Sequence, residues 1–376
     1  MAARKVGPYY HQQKALGAEF VDRLGFAAPL RYTTVEQEHL ATRERAGLYD
    51  VYNQVLVDIK GRDAPLLLQK TLVNDAARLR DGQVLYSSVC SEDGGMIDDL
   101  TCFRLSATHF QLCPTPSRVD RITDWMTEQA GHYDAQVTNL GAGRAFLSIQ
   151  GPRARDILAA LCATDVSADR LPYFSLLLTT VADVPQTLVS RTGYSGELGY
   201  ELFFPREYAE HMWDSVMAAG RPQGLLPCGL GALRSVRIEK RYPLYGLDLD
   251  ETTSPLEAGL DWTVRFGERK FIGRNVLLRQ RERGVGRKLV LIEFSDLAFV
   301  PPIGSAIKVG ADVVGRVTSA DKGWYLRRAL ALGYVASAHV MEGAAVTVQS
   351  NTDDAHGNGV MRLQAPYDPL RARARG

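Results

Sequence analysis

The sequence predicts an α+β protein in which two similar subdomains precede a small all-β domain. Three observations predict it. First, VLVDIKGRDAPLLLQKTL (55–72) and AFLSIQGPRARDILAAL (145–161) share one pattern. Each reads as a strand, a glycine turn and an apolar helix, with Ala three positions after the glycine. Second, YSSVCSEDGGMIDDLTCFRLS (86–106) and TLVSRTGYSGELGYELFFP (187–205) each place two extended runs around a Gly-rich turn. Each is followed by a helical pattern, SRVDRITDWMTEQAG or REYAEHMWDSVMAAG, that ends at a capping glycine. Third, the pattern changes from about Arg287. KLVLIEF, SAIKVG, DVVGRVTS, ALALGYV and AVTVQS are short strands separated by Gly, Pro and Asp turns, as in a small β-barrel or sandwich.

Taken in order, strand, helix, hairpin and helix occur twice, which is the mark of a duplicated unit. PQGLLPCGLG (222–231) then reads as a linker, leading into the helical stretch ALRSVRIEKRY. Gly141-Ala142-Gly143 leads into a strand and not a helix, so it is a poor dinucleotide motif, and no GxGxxG stands near the N-terminus. These features argue against bound FAD or NAD.

The 376 residues suit two or three domains, and 45% hydrophobic with 23% charged content is ordinary for a globular chain. A formal charge of +1 leaves no global field to attract nucleic acid or an acidic membrane. Arg371, Arg373 and Arg375 form a basic tail that reads as solvated, in the one stretch, 370–376, whose composition suggests disorder. The five cysteines form no CxxC pair, and no two of the seven histidines have i, i+4 spacing. No metal is expected. The start, MAARKVGPYYHQQ, has no apolar leader, and no stretch reaches the length of a membrane span, so a cytoplasmic protein is expected.

Laying the two hairpins over one another by their turn glycines places Asp99 on Glu201. Strand alternation sends Asp98 and Asp99 to opposite faces. Both Asp99 and Glu201 sit among apolar residues, where an unpaired carboxylate is costly. Acids at matching positions suggest a site between the halves, against a turn-capping Asp and an edge-strand Glu as the bland reading. In Arg191-Thr192-Gly193-Tyr194-Ser195-Gly196-Glu197, glycines around an aromatic ring are expected to let backbone approach a planar ligand; an ordinary loop with a packing Tyr is the alternative.

GxDAxxxLQxxxxND (61–75), GGMIDDL, RTGYSGELGYEL, LRSVRIEKRYPLYGLDL, SPLEAGL, FIGR, GRVTS and APYDP together resemble the glycine-cleavage T-protein superfamily, in order from Tyr32 to Tyr367. The resemblance implies three domains around a central opening that holds folate. It divides the chain into a discontinuous folate-binding domain (1–54 and 142–285), a ferredoxin-like domain (55–141) and a C-terminal β-barrel (286–376). It places Asp99 near folate N5 as the catalytic acid. Glu201 becomes the pterin-binding carboxylate, which can accept a ring N–H and an amino group together. Tyr86, Tyr173, Tyr194 and Arg191 become cofactor-binding residues.

The sequence also departs from that pattern. Where glycine-cleavage enzymes carry an Arg that reaches the ligand, this chain has Leu233, followed by Lys240-Arg241-Tyr242 in place of Ala-Gly-Leu. That stretch is more similar to the folate-binding halves of dimethylglycine and sarcosine dehydrogenases, whose flavin domain has no counterpart here. Phe271-Ile272-Gly273-Arg274 differs from the Cys-Tyr motif of iron–sulfur-related members. The expectation is a tetrahydrofolate-dependent methyltransferase that demethylates a small N-, O- or S-methylated substrate, without flavin or metal. The alternatives are the aminomethyltransferase of the glycine cleavage system, acting on a lipoyl-carrier protein, and a non-catalytic folate-binding protein.

Overall fold

The computed structural model describes residues 5–51, 54–141 and 143–376. The first four residues of the expected leaderless start, and Ala142 of the glycine pair with the domain boundary drawn there, lie outside the described residues.

The duplicated pattern builds two sheets. The first has five strands, in the order Val84–Cys90, Met96–Ser106, His109–Cys113, Val57–Lys60, Gln136–Asn139. The second has six, in the order Leu176–Val181, Val184–Ser190, Gly199–Pro205, Arg144–Gln150, Ala46–Tyr49, Leu225–Cys228. At the matching strand-to-helix junctions stand Gly61 (φ +143°) and Gly151 (φ +130°). A Cβ there would lie 2.1 Å from the Asp134 carbonyl oxygen or 2.6 Å from that of Arg45, so both positions admit only glycine.

The two hairpins are offset by one strand from the expected superposition. Strand stations match Met96–Ser106 with Val184–Ser190, and His109–Cys113 with Gly199–Pro205. The true counterpart of the first hairpin closes tightly at Ala182 (φ +47°) and Asp183 (φ +62°), as a type I′-like turn between twisted strands allows. Asp99 and Glu201 therefore do not occupy equivalent positions. The PQGLLPCGLG stretch is no linker either. Its Leu225–Cys228 pairs in parallel with Ala46–Tyr49 at the sheet edge.

Alternation gives each sheet an outer and an inner face. Outward residues such as Val57, Ile59, Leu100 and Leu112 pack under the helices Ala64–Thr71 and Val119–Ala130. Leu147, Ile149, Val189 and Leu202 pack under Ala154–Ala159 and Ala209–Gly220. The inner faces meet through Val84, Phe103, Phe146, Leu188 and Phe203. Six strands from Arg287–Phe294 to His356–Arg362 close into the expected barrel. Near the N-terminus, a three-stranded sheet of Lys5–Val6, Phe26–Arg31 and Glu19–Arg23 was not foreseen.

Candidate active site

Tyr86 is the register partner of Thr101, and Ser88 that of Asp99, so these side chains share the inner face of the first sheet. Tyr86 Oη donates to Asp99 Oδ2 at 2.7 Å. Asp99 Oδ1 has no hydrogen-bond partner. Burial pushes the Asp99 carboxyl up to about 6, while the Tyr86 hydrogen bond opposes the rise. Burial, then the charge of Asp99, raises the Tyr86 phenol well above its usual range, so Tyr86 stays a donor. Its ring stacks on Trp262 at 5.8 Å and 20°.

Asp98 is fully buried and accepts the Thr115 backbone N–H on Oδ2 at 2.9 Å. Burial, then the neighbouring Asp99, pushes it well above the carboxylate range. Asp98 thus ties strand to turn through Oδ2, and each of the two acids keeps its Oδ1 without a partner.

Glu201 lies on the inner face of the second sheet, between Ser148 and Ser190 in register. Thr192 Oγ1 donates to Glu201 Oε2 at 2.5 Å, and burial raises the Glu201 carboxyl. The two acids are carried by the two inner faces, which pack on one another through Phe103, Phe146 and Phe203.

Gln150 fixes the loop that carries Thr192 and Tyr194. Its Nε2 donates to Ser148 Oγ (2.9 Å) and Thr192 O (3.3 Å), and its Oε1 accepts from Ser195 Oγ (2.6 Å). A Cβ at Gly193 or Gly199 would lie 2.1 or 2.3 Å from that carboxamide. A Cβ at Gly196 would strike the Lys240 side chain at 2.2 Å. The glycines of this motif therefore admit the protein's own side chains, where a ligand's approach was expected.

Tyr194 donates to the Pro243 carbonyl, and its ring lies 5.8 Å from that of Tyr242. Burial raises the Tyr194 phenol, Arg237 opposes the rise and the charge of Asp99 adds to it. Tyr173 stands farther along, half-buried and edge-on to Phe174.

Arg191 stands apart from the others. It is 1% exposed and donates to the carbonyls of Gly199, Ala374 and Arg375, with its guanidinium 5.7 Å from the Tyr173 ring. The side chain holds the C-terminal segment through its Nη2, while its buried Nε has no hydrogen-bond partner. That segment is anchored, although Arg371 and Arg375 are themselves exposed. Arg373 Nε bonds Glu197 Oε2 at 2.9 Å, Lys240 Nζ reaches Asp368 at 3.2 Å, and Arg371 lies 5.4 Å over Trp262.

Sequence reasoning missed Trp262, Gln150 and Thr192. It also missed the buried ionic lattice centred on Arg43, which bonds Glu239 and Glu197, each at 2.9 Å. Glu239 amid the apolar positions of LRSVRIE was the available signal. Among the described residues no cluster of His, Cys, Asp and Glu is arranged to hold a metal ion, and no helix is long and apolar enough to cross a membrane.

Two family models match the chain. The family model of the GCVT N-terminal domain matches residues 9–268, and that of the glycine cleavage T-protein C-terminal barrel domain matches 287–358. An aminomethyltransferase of Halothermothrix orenii is 37% identical over 92% of this chain and 95% of its own length. One of Symbiobacterium thermophilum is 39% identical over 91% of this chain and 92% of its own. The crystal structure of the glycine cleavage system aminomethyltransferase T from Bartonella henselae superposes with a TM-score of 0.89 at 27% identity, covering 98% of this chain and 99% of that one. The enzyme class implied by the motifs, a tetrahydrofolate-dependent one-carbon transferase, is upheld, and the non-catalytic alternative falls away. By its full-length likeness and its two matched domains, the chain belongs to the glycine cleavage T-protein family.

Proposed function

We propose that this protein is an aminomethyltransferase, which passes a carrier-bound aminomethyl carbon to tetrahydrofolate and releases ammonia. This replaces demethylation of a small substrate as the leading reading. The observation that carries it is the likeness, over more than nine-tenths of the chain, to proteins named aminomethyltransferase.

The cleft suits the acceptor. An unpartnered carboxylate oxygen on Asp99 and the raised carboxyl of Glu201 can each take an N–H of a pterin ring, and the Tyr86, Tyr194 and Trp262 rings supply flat apolar surface. Tetrahydrofolate supplies the nitrogen that takes the carbon. Asp99 holds or removes the proton at that nitrogen, with its carboxyl near 6 and therefore ionised at neutral pH. Tyr86 fixes the carboxylate by its 2.7 Å bond. Glu201 orients the ring, and the packed sheets exclude water. Such alignment is worth roughly 7–11 kcal/mol of a barrier.

One observation favours methyl transfer from a small N-methylated donor. Leu233, at the position of the ligand-reaching Arg of glycine-cleavage enzymes, packs instead against Tyr49, Cys228 and Ala232. The deciding experiment supplies tetrahydrofolate with either an aminomethylated lipoyl-carrier protein or dimethylglycine and sarcosine. Ammonia and 5,10-methylene-tetrahydrofolate formed only with the carrier support the proposal. Product formed only from the small donors overturns it in favour of demethylation.

A further inference from the structure

A second pocket lies where the duplication would place a copy of the candidate active site. Its volume is about 270 Å3, and Asp58, Gln111, Gln186 and Leu188 line it. In the second sheet Glu201 pairs with Ser148 on one side and Ser190 on the other. On the matching strand of the first sheet, Gln111 pairs with Asp58 and Phe103. Gln111 therefore holds the station of Glu201. Gln186 reaches the same pocket from the second sheet, in a bulge where its φ is +56°. A carboxamide thus stands at the counterpart of Glu201, and Gln186 adds a second to the same lining.

The lining remains polar and organised. Asp58 accepts from His109 Nε2 (2.6 Å), Lys60 Nζ (2.8 Å) and Gln111 Nε2 (3.0 Å). Those bonds orient the Gln111 amide and leave its buried Oε1 without a partner, a group that calls for an N–H donor. Lys60 and Arg144 supply positive charge, and Arg144 is itself fixed on the Gln186 carbonyl at 2.9 Å. Leu105, Leu140, Leu178 and Leu188 supply the apolar walls.

We infer that this pocket binds a flat heterocycle with an N–H edge and an anionic substituent, and holds it without turnover. The edge would meet Gln111 and the anion Lys60 and Arg144. Turnover is absent because the carboxylate in the lining, Asp58, is engaged by His109, Lys60 and Gln111. The choice of ring rests on the folate reading of the first cleft.

Calorimetric titration of the full chain with pterin-6-carboxylate tests this. Two equivalents are expected. Gln111→Met and Leu178→Trp, the latter filling the pocket from a half-exposed position, should each weaken one equivalent by roughly tenfold or more. Both variants should transfer carbon to tetrahydrofolate at the wild-type rate. Glu201→Gln should weaken only the other equivalent. A single equivalent abolished by Glu201→Gln overturns the inference, as does a second equivalent indifferent to both pocket variants, or no binding of the probe. The folate reading of the first cleft is judged separately, by transfer to tetrahydrofolate itself.

Discussion

Asp99→Asn should make the protein more stable and nearly inactive. The structure holds the Asp99 carboxyl near 6 instead of 3.8 because burial disfavours its charge and only Tyr86 hydrogen-bonds it. At about 1.4 kcal/mol per pH unit, this amounts to a penalty of up to roughly 3 kcal/mol once the group is ionised. A carboxyl whose pKa rises on folding takes up its proton in the folded state. Its stabilising effect is therefore complete below about pH 4 and is lost as pH climbs through about 6. Asparagine keeps an oxygen for Tyr86 and carries no charge, so it escapes that loss. The variant should melt higher than wild type at pH 7.5, and the difference should shrink toward pH 4.5. Single-turnover transfer with saturating tetrahydrofolate should fall by roughly a hundredfold or more, since the ionised base is gone. In the wild type that rate should rise with pH through about 6 and level off above. Asp98→Asn, which can still accept the Thr115 N–H, should leave the rate near normal. A variant at Asp99 that melts lower at pH 7.5 with wild-type turnover, or a dead enzyme at Asp98, would refute the reasoning.

The remaining predictions concern the walls of the cleft. Glu201→Gln should weaken tetrahydrofolate binding by about 1–3 kcal/mol in calorimetry, because an amide donor then faces a pterin donor; unchanged affinity removes Glu201 from the site. Gln150→Leu leaves Ser195 and the Thr192 carbonyl without their partner, so KM for tetrahydrofolate should rise more than kcat falls. Arg373→Ala should lower stability by about 1 kcal/mol in denaturant titration, since the buried Glu197 keeps Arg43 and Tyr367 as partners.

How much was legible follows from what each feature depends on. The duplication showed because glycine at the strand-to-helix junction and apolar alternation are local requirements, as at Gly61 and Gly151. The barrel showed for the same reason. The edge strand Leu225–Cys228 did not, because its partner Ala46–Tyr49 lies far back in the chain. The hairpin superposition slipped by one strand because the Gly94 and Gly196 turns look alike while serving different stations. Asp99 and Glu201 nonetheless both stand on inward faces, where an acid is costly anywhere in such a sheet. The hold of Arg191 on the C-terminal segment was not legible, because its partners are backbone carbonyls, which carry no sequence signature.

The buried lattice explains how a cleft made from remote segments keeps its shape. Arg43 joins the helix Val35–Glu44 to Glu239 on the helix Leu230–Glu239 and to Glu197 on the loop beside Tyr194. Glu239 also accepts the backbone N–H groups of Tyr325 and Leu326, which belong to a barrel turn. Glu197 holds Arg373, and the same short segment carries Arg371 over Trp262, whose ring backs Tyr86. A buried ion pair stabilises weakly by itself, yet losing one member leaves an uncompensated charge. The lattice is therefore firm only when complete, and completing it brings sheet, barrel and C-terminal segment to one arrangement. Damage at Arg43 or Glu239 should then reach the Tyr86–Asp99 pair through Trp262, although neither residue touches it.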